Sequence, residues 1–159
     1  MSIDIKVIKN IVEEQIPIHK FLGVQLLEIK EGYAKVRVPF QEIVLGDIVR
    51  RRWHGGILAT MMDSVGGLTG AAYFSSPQDK MATIDMRVDY LKGAEAAPII
   101  VEGKIVRLGR RILVTKMYVW DEQEENLLAE GKGVYNFIRM KEELKEPSPF
   151  LGITPYSED

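Results

Sequence analysis

Ile5, Ile8, Ile11, Val12 and Ile16 recur at helical spacing and predict a short amphipathic N-terminal helix, with Ser2 as its N-cap and Pro17 closing it. Residues 24–29 and 33–40 each alternate well enough for a strand, on either side of a turn at Lys30-Glu31-Gly32, which predicts a β-hairpin. Residues 42–53, EIVLGDIVRRRW, keep no period and read as an irregular, basic stretch leading to the Gly55-Gly56 pair. From there to Phe74 the chain is apolar enough for one long buried helix. Beyond Pro77 the pattern turns to strands over 82–93, 98–109, 110–121 and 127–140, with turns at Lys92-Gly93, Gly109-Arg110 and Asp121 to Asn126. Residues 141–159 carry three prolines and read as a mostly irregular tail. No internal repeat or second boundary is visible, so residues 1–140 are expected to form a single domain.

A long apolar helix, a run of long antiparallel strands and one earlier hairpin imply an α+β domain whose antiparallel sheet curls around one central helix. Gly66, Gly67 and Gly70 fit that burial, since each costs about 1 kcal/mol against Ala in a helix unless close packing offsets it. A chain of 159 residues with 46% hydrophobic content is long enough for one real core. Its 21 basic and 23 acidic residues are mixed, without the basic stripe a duplex would require, so nucleic acid is excluded as the main partner. With no cysteine, disulfides, thiol nucleophiles and thiolate-ligated metals are excluded. His19 and His54 alone are too few for a histidine-rich zinc site, so no metal is expected. The N-terminus lacks the unbroken apolar core of a secretory signal, and the composition suits the cytoplasm. Residues 57–74 do not read as a membrane span. Asp63 at the centre would cost roughly 2.5–3.5 kcal/mol there, and much of the rest is Gly, Ala, Ser and Thr. GxSxG, GxxxxGK[ST] and GxGxxG are all missing from the sequence.

A carboxylate in the middle of so apolar a run needs a reason. HGGILATMMD (His54 to Asp63), the following TIDMRVDYLKGA and the hairpin RLGRRILVTKMYVWDEQEENLLAEGKGVY together resemble the hotdog-fold acyl-CoA thioesterases of the phenylacetate-pathway type, within the 4-hydroxybenzoyl-CoA thioesterase superfamily. The resemblance covers roughly residues 17–139 and implies hydrolysis of an acyl-CoA to free acid and coenzyme A. It implies no cofactor, because coenzyme A is part of the substrate. It also implies a homodimer at least, and a homotetramer. The residue matching Gly55 donates its N–H to the thioester oxygen. Asp63 either activates water or attacks the carbonyl itself, and Thr83 hydrogen-bonds the attacking water. Many relatives place an asparagine six residues before the HGG histidine, where this chain has Ile48 beside Asp47.

The residues support that chemistry independently. Thioester hydrolysis needs a base or nucleophile, and donors aimed at the oxygen that gains charge. Free N–H groups at a helix N-terminus are such donors, and Gly55 and Gly56 present no side chain to an approaching carbonyl. Asp63 lies eight residues beyond Gly55, about 12 Å along a helix at 1.5 Å per residue, too far for both to act on one carbonyl. If both are catalytic, they come from different chains, with two antiparallel helices side by side across a two-fold axis. The bland alternative makes Asp63 a structural acid. His54 either caps the helix or contacts substrate, and Trp53 is core or pocket wall. Thr83, Asp85, Arg87 and Asp89 alternate with apolar residues and define one polar strand face, which for the last three is solvated or an ion pair. Arg50, Arg51 and Arg52 are solvated or attract an acidic substrate. Lys92, Arg110 and Arg111 are candidates for the phosphates of coenzyme A. Two other functions fit the same residues: a non-catalytic acyl-CoA binding protein, and a hotdog hydratase or dehydratase using Asp47 with His54.

Overall fold

The computed structural model describes residues 5–74 and 79–138. The expected Ser2 cap, the break at Pro77 and the tail from 141 lie outside them. Helix α1 (Ile5–Asn10) runs into one π-helical turn (Ile11–Gln15), and α2 (Pro17–Leu22) follows. Pro17 does not end the N-terminal helical region as expected. It occupies the first position of α2, where a missing N–H costs nothing. In the π turn the Ile16 N–H reaches back to the Ile11 carbonyl, at 3.2 Å. That leaves the Val12 carbonyl to accept His19 Nδ1–H at 2.9 Å. Gly23 ends α2 in the left-handed conformation (φ 70°).

The hairpin is β1 (Gln25–Lys30) and β2 (Tyr33–Val38). The stretch expected to be irregular contains a 3-10 turn (Glu42–Val44) and a small antiparallel ribbon, β3 (Leu45–Asp47) and β4 (Arg52–Trp53). Its order is local: Asp47 Oδ1 accepts the Val49 and Arg50 N–H groups at 3.0 and 2.8 Å. Gly46 has no room for a side chain, since a Cβ would lie 2.7 Å from His54 Cα. The central helix α3 (Gly55–Ala71) is followed by four long strands: β5 (Lys80–Tyr90), β6 (Ile99–Leu108), β7 (Ile112–Asp121) and β8 (Leu127–Ile138).

The large sheet is antiparallel throughout, in the order β1-β2-β6-β7-β8-β5. It curls around α3, which touches β2, β5, β6, β7 and β8. Leu58, Met61, Met62, Val65, Gly66, Thr69 and Gly70 form the buried stripe of α3. They pack on Ala34, Val36, Val101, Met117 and Val119, all essentially inaccessible. Gly66 is where helix and sheet approach most closely, since a Cβ there would lie 2.2 Å from the Tyr135 hydroxyl. Within one chain the sheet covers one side of α3 only. Thr60, Asp63, Ser64 and Gly67 on the other side remain partly exposed.

Candidate active site

Asp63 sits on the open side of α3, where a charge keeps access to water. Its carboxylate accepts the Thr83 hydroxyl, Oγ1 to Oδ1 2.8 Å, and its main-chain carbonyl accepts the Tyr135 hydroxyl at 3.0 Å. Thr83 and Tyr135 are directly opposite each other on β5 and β8. One cross-strand pair therefore holds Asp63 by both its side chain and its backbone. Burial first, and the Asp63 charge second, raise the Tyr135 pKa well above the usual phenol range, so this hydroxyl stays protonated and donates.

Thr83 reaches Asp63 because of an irregularity that alternation alone does not reveal. The register shifts between Thr83 and Asp85, leaving Ile84 as an extra residue on β5. A one-residue slip reverses the facing of a strand. Thr83 therefore does not share a face with Asp85, Arg87 and Asp89, as simple alternation would have it. It shares the helix side with Met86 and Val88, while Asp85, Arg87 and Asp89 point outward. Arg87 and Asp89 pair with each other there, at 3.1 Å.

At the helix entrance His54 is the N-cap, and its Nδ1 accepts the Gly56 N–H at 2.9 Å. This commits the Gly56 donor to the imidazole, whose Nδ1 would also lie 2.9 Å from a Cβ on Gly56. The Gly55 N–H has no acceptor among the described residues. The Gly55 carbonyl accepts the Tyr90 hydroxyl at 2.7 Å, and a Cβ on Gly55 would come within 3.1 Å of the Tyr90 ring.

The cationic candidates are not brought together. Lys92 follows β5 at the end of the sheet that holds the start of α3, and donates to Asn126 at 2.8 Å. Arg110 and Arg111, both exposed, form the β6–β7 turn at the other end, beside Ala82 and Asn136. Ala82 and Tyr90 are about 27 Å apart along β5 at ~3.4 Å per residue, so one chain does not bring all three cations to one phosphate. Arg50 pairs with Asp47 at 3.3 Å, Arg51 with Glu42, and Arg52 with Glu95 at 3.8 Å. Asp47 thus spends its carboxylate on its own loop and on Arg50. Ile48, where many relatives carry the asparagine, is 78% exposed at the tip of that loop. Trp53 is core: it is buried, its Nε1 donates to the Ala97 carbonyl at 3.0 Å, and it packs edge-on against Phe40. Among the described residues no three His, Asp or Glu side chains cluster as metal ligands, and no helix is long and apolar enough to cross a membrane.

A hotdog sheet around a helix with a mid-helix carboxylate and an open N-terminal donor defines a class, and comparison with known proteins agrees. The sequence profile of the thioesterase superfamily matches residues 52–127. A Halobacterium salinarum protein named "Putative esterase VNG_1336C" is 30% identical over 131 residues, covering 75% of this chain and 83% of that protein. An Escherichia coli protein named "Medium/long-chain acyl-CoA thioesterase YigI" is 23% identical over 132 residues, covering 76% of this chain and 85% of that one. A crystal structure of a Shewanella oneidensis protein related to the thioesterase superfamily superimposes with a TM-score of 0.73 at 29% identity, covering 82% of this chain and 93% of that one. The chain belongs to the thioesterase superfamily and has its hotdog fold.

Proposed function

We propose that this protein is a cytoplasmic acyl-CoA thioesterase of the phenylacetate-pathway type, working as a homodimer or a pair of homodimers, with Asp63 as base or nucleophile and Gly55 as oxyanion donor. The observation that carries the reading is the Asp63 carboxylate, held by Thr83 on the side of α3 that its own sheet leaves open. By the general-base route, Asp63 takes a proton from water, the hydroxide adds to the thioester carbonyl, and the carbonyl oxygen becomes an oxyanion bound by the Gly55 N–H. Collapse expels the coenzyme A thiolate, which is then protonated, and leaves the free acid. By the nucleophilic route Asp63 attacks first and water then cleaves the resulting anhydride. Because donor and base of one chain lie about 12 Å apart, each site takes them from two subunits with antiparallel α3 helices. The same pairing sets the entrance end of one helix beside the far end of the other. Lys92 then shares a site with Arg110 and Arg111 of the partner subunit, whose separation within one chain needs such a partner. The E. coli relative's named activity supports an acyl-CoA substrate.

The test is thiol release from aromatic, short-chain and long-chain acyl-CoAs by wild type and by Asp63→Asn. Wild type turns over at least one class and the folded Asn variant none. Undiminished turnover by Asp63→Asn removes Asp63 from the chemistry, and tight binding without thiol release makes the protein a non-catalytic acyl-CoA binder.

A further inference from the structure

The two helix residues assigned to the reaction are also the two whose main-chain carbonyls receive a tyrosine hydroxyl from the sheet. Tyr90 of β5 donates to Gly55 O at 2.7 Å, and Tyr135 of β8 donates to Asp63 O at 3.0 Å. A helical carbonyl already accepts one bond from four residues on, and its second lone pair is free for such a donor. We propose that Tyr90 and Tyr135 are positioning residues that set the axial register of α3 on its sheet, so that Gly55 of one chain and Asp63 of its partner meet at one thioester. The proposal rests on the shared-site reading above.

The need for such pins follows from what else holds the helix. The packed stripe of α3 combines adaptable Met61 and Met62 and knobless Gly66 and Gly70 with Val65 and Thr69, which fit against Gly103, where a Cβ would lie 3.2 and 2.9 Å from them. This packing limits a slide along the axis without fixing it to a fraction of an ångström. Hydrogen bonds are directional and specify position where such packing does not. Tyr90 and Tyr135 come from neighbouring strands whose register is continuous from Lys80 to Tyr90 apart from the single bulge. They grip the helix at both ends of the interval that matters. Tyr135 also fills the space above Gly66 and Gly133, where a Cβ would lie 2.2 and 2.7 Å from its hydroxyl. A shared site amplifies any error, because an axial shift moves the donor of one subunit and the base of the other in opposite directions. A misplacement of about 1 Å at a reacting centre costs on the order of a hundredfold in rate.

The test is steady-state kinetics of Tyr90→Phe, Tyr135→Phe and the double variant, with thermal unfolding and native mass spectrometry alongside. Each single substitution keeps the ring and lowers kcat about tenfold, and the double variant loses more than either. KM for acyl-CoA stays within about twofold, the dimer persists, and the pH–rate profile keeps its shape because neither phenol moves a proton. Wild-type kcat in the double variant, with Asp63→Asn inactive, overturns the register proposal and leaves the thioesterase reading standing. An active Asp63→Asn overturns that reading first. A rise in KM at unchanged kcat makes Tyr90 a substrate contact instead, and a kcat loss matched by loss of folded dimer reduces both tyrosines to structural residues. Should Tyr135→Phe fail to fold, Tyr90→Phe decides the matter alone, since Tyr90 is 54% exposed and its ring remains.

Discussion

The two sides of α3 are made from the same short stretch of sequence and have opposite characters. Toward the sheet, Leu58, Met61, Met62, Val65 and Thr69 are at most 3% exposed, and the approach is so close that Gly66 cannot carry a side chain. Away from it, Thr60, Asp63, Ser64 and Gly67 are polar or small and partly exposed, with Thr83 reaching over from the β5 bulge. The packed side is settled within one chain. The open side contributes little to that chain's stability and is therefore free to carry a charge. This resolves the oddity of a carboxylate in an apolar run: Asp63 is apolar by neighbourhood in sequence and half-solvated by its position on the helix.

The largest expected effect tests whether the open side is completed by a second chain. Asp63→Asn and Gly55→Pro should each be nearly inactive as homodimers, the proline variant by roughly 10²–10³-fold through loss of one oxyanion donor. Proline is compatible with the first turn, and His54 already has the extended backbone (φ −67°, ψ 126°) that precedes a proline. The Tyr90 ring, 3.1 Å from the new Cβ, must yield slightly. Co-assembled heterodimers have one doubly damaged site and one intact site, so mixing should restore up to about half of normal activity per heterodimer. Verified heterodimers that stay inactive would rule out the shared site.

The next effect separates chemistry from packing on the open side. Thr83→Val removes the hydroxyl held 2.8 Å from the Asp63 carboxylate while keeping the shape of the side chain. The bond is exposed and adds little to stability, but it orients the base, so kcat should fall roughly 10- to 100-fold while the thermal midpoint barely moves. An unchanged kcat would detach Thr83 from the reaction.

How much of this contrast is legible before folding depends on the range of each interaction. The N-terminal helix, the hairpin and the four long strands follow from the period of their apolar residues and α3 from an apolar run, and His54, Gly55 and Asp63 stand out in the string itself. The second helix after Pro17, the β3–β4 ribbon and the bulge at Ile84 were missed, because each depends on a local count of one or two residues that periodicity does not resolve. Tyr90 and Tyr135 carried no signal. They act on main-chain carbonyls 35 and 72 residues away, and an acceptor in the backbone has no residue type to recognise.

A pair of neighbouring glycines sharpens the comparison at smaller cost. Gly66→Ala places a methyl 2.2 Å from the Tyr135 hydroxyl and 3.0 Å from Met117 Sδ. Overpacking of this kind destabilises by about 1–3 kcal/mol. At Gly67 the nearest atoms of the same chain to a new methyl are 3.8 Å away, so within one chain Gly67→Ala gains up to about 1 kcal/mol from helix propensity, and any shortfall from that gain reports the partner helix against this side. Denaturant unfolding of the two variants reads both signs directly. Equal destabilisation by both would mean that the Gly67 side is packed as tightly as the Gly66 side, which in this fold requires a neighbouring chain against it.

The smallest effect uses the two histidines, which repeat the contrast between a buried side chain and one at the open mouth of the helix. His19 is 4% exposed, and burial lowers its pKa from the usual 6.5, only partly opposed by its bond to the Val12 carbonyl. Its folded pKa is therefore depressed, and below about pH 6.5 the unfolded chain binds a proton that the folded chain resists. Stability should fall as the pH drops through that value and level off only below the folded pKa. His54 is exposed, with its Nδ1 accepting from Gly56, and stands at the entrance to α3 rather than in the core. His19→Gln, which keeps a donor for Val12, should flatten the acid side of a plot of unfolding free energy against pH, whereas the corresponding change at His54 removes the helix cap and should cost about 1 kcal/mol at neutral pH. An acid slope that survives His19→Gln intact would place the titrating group elsewhere.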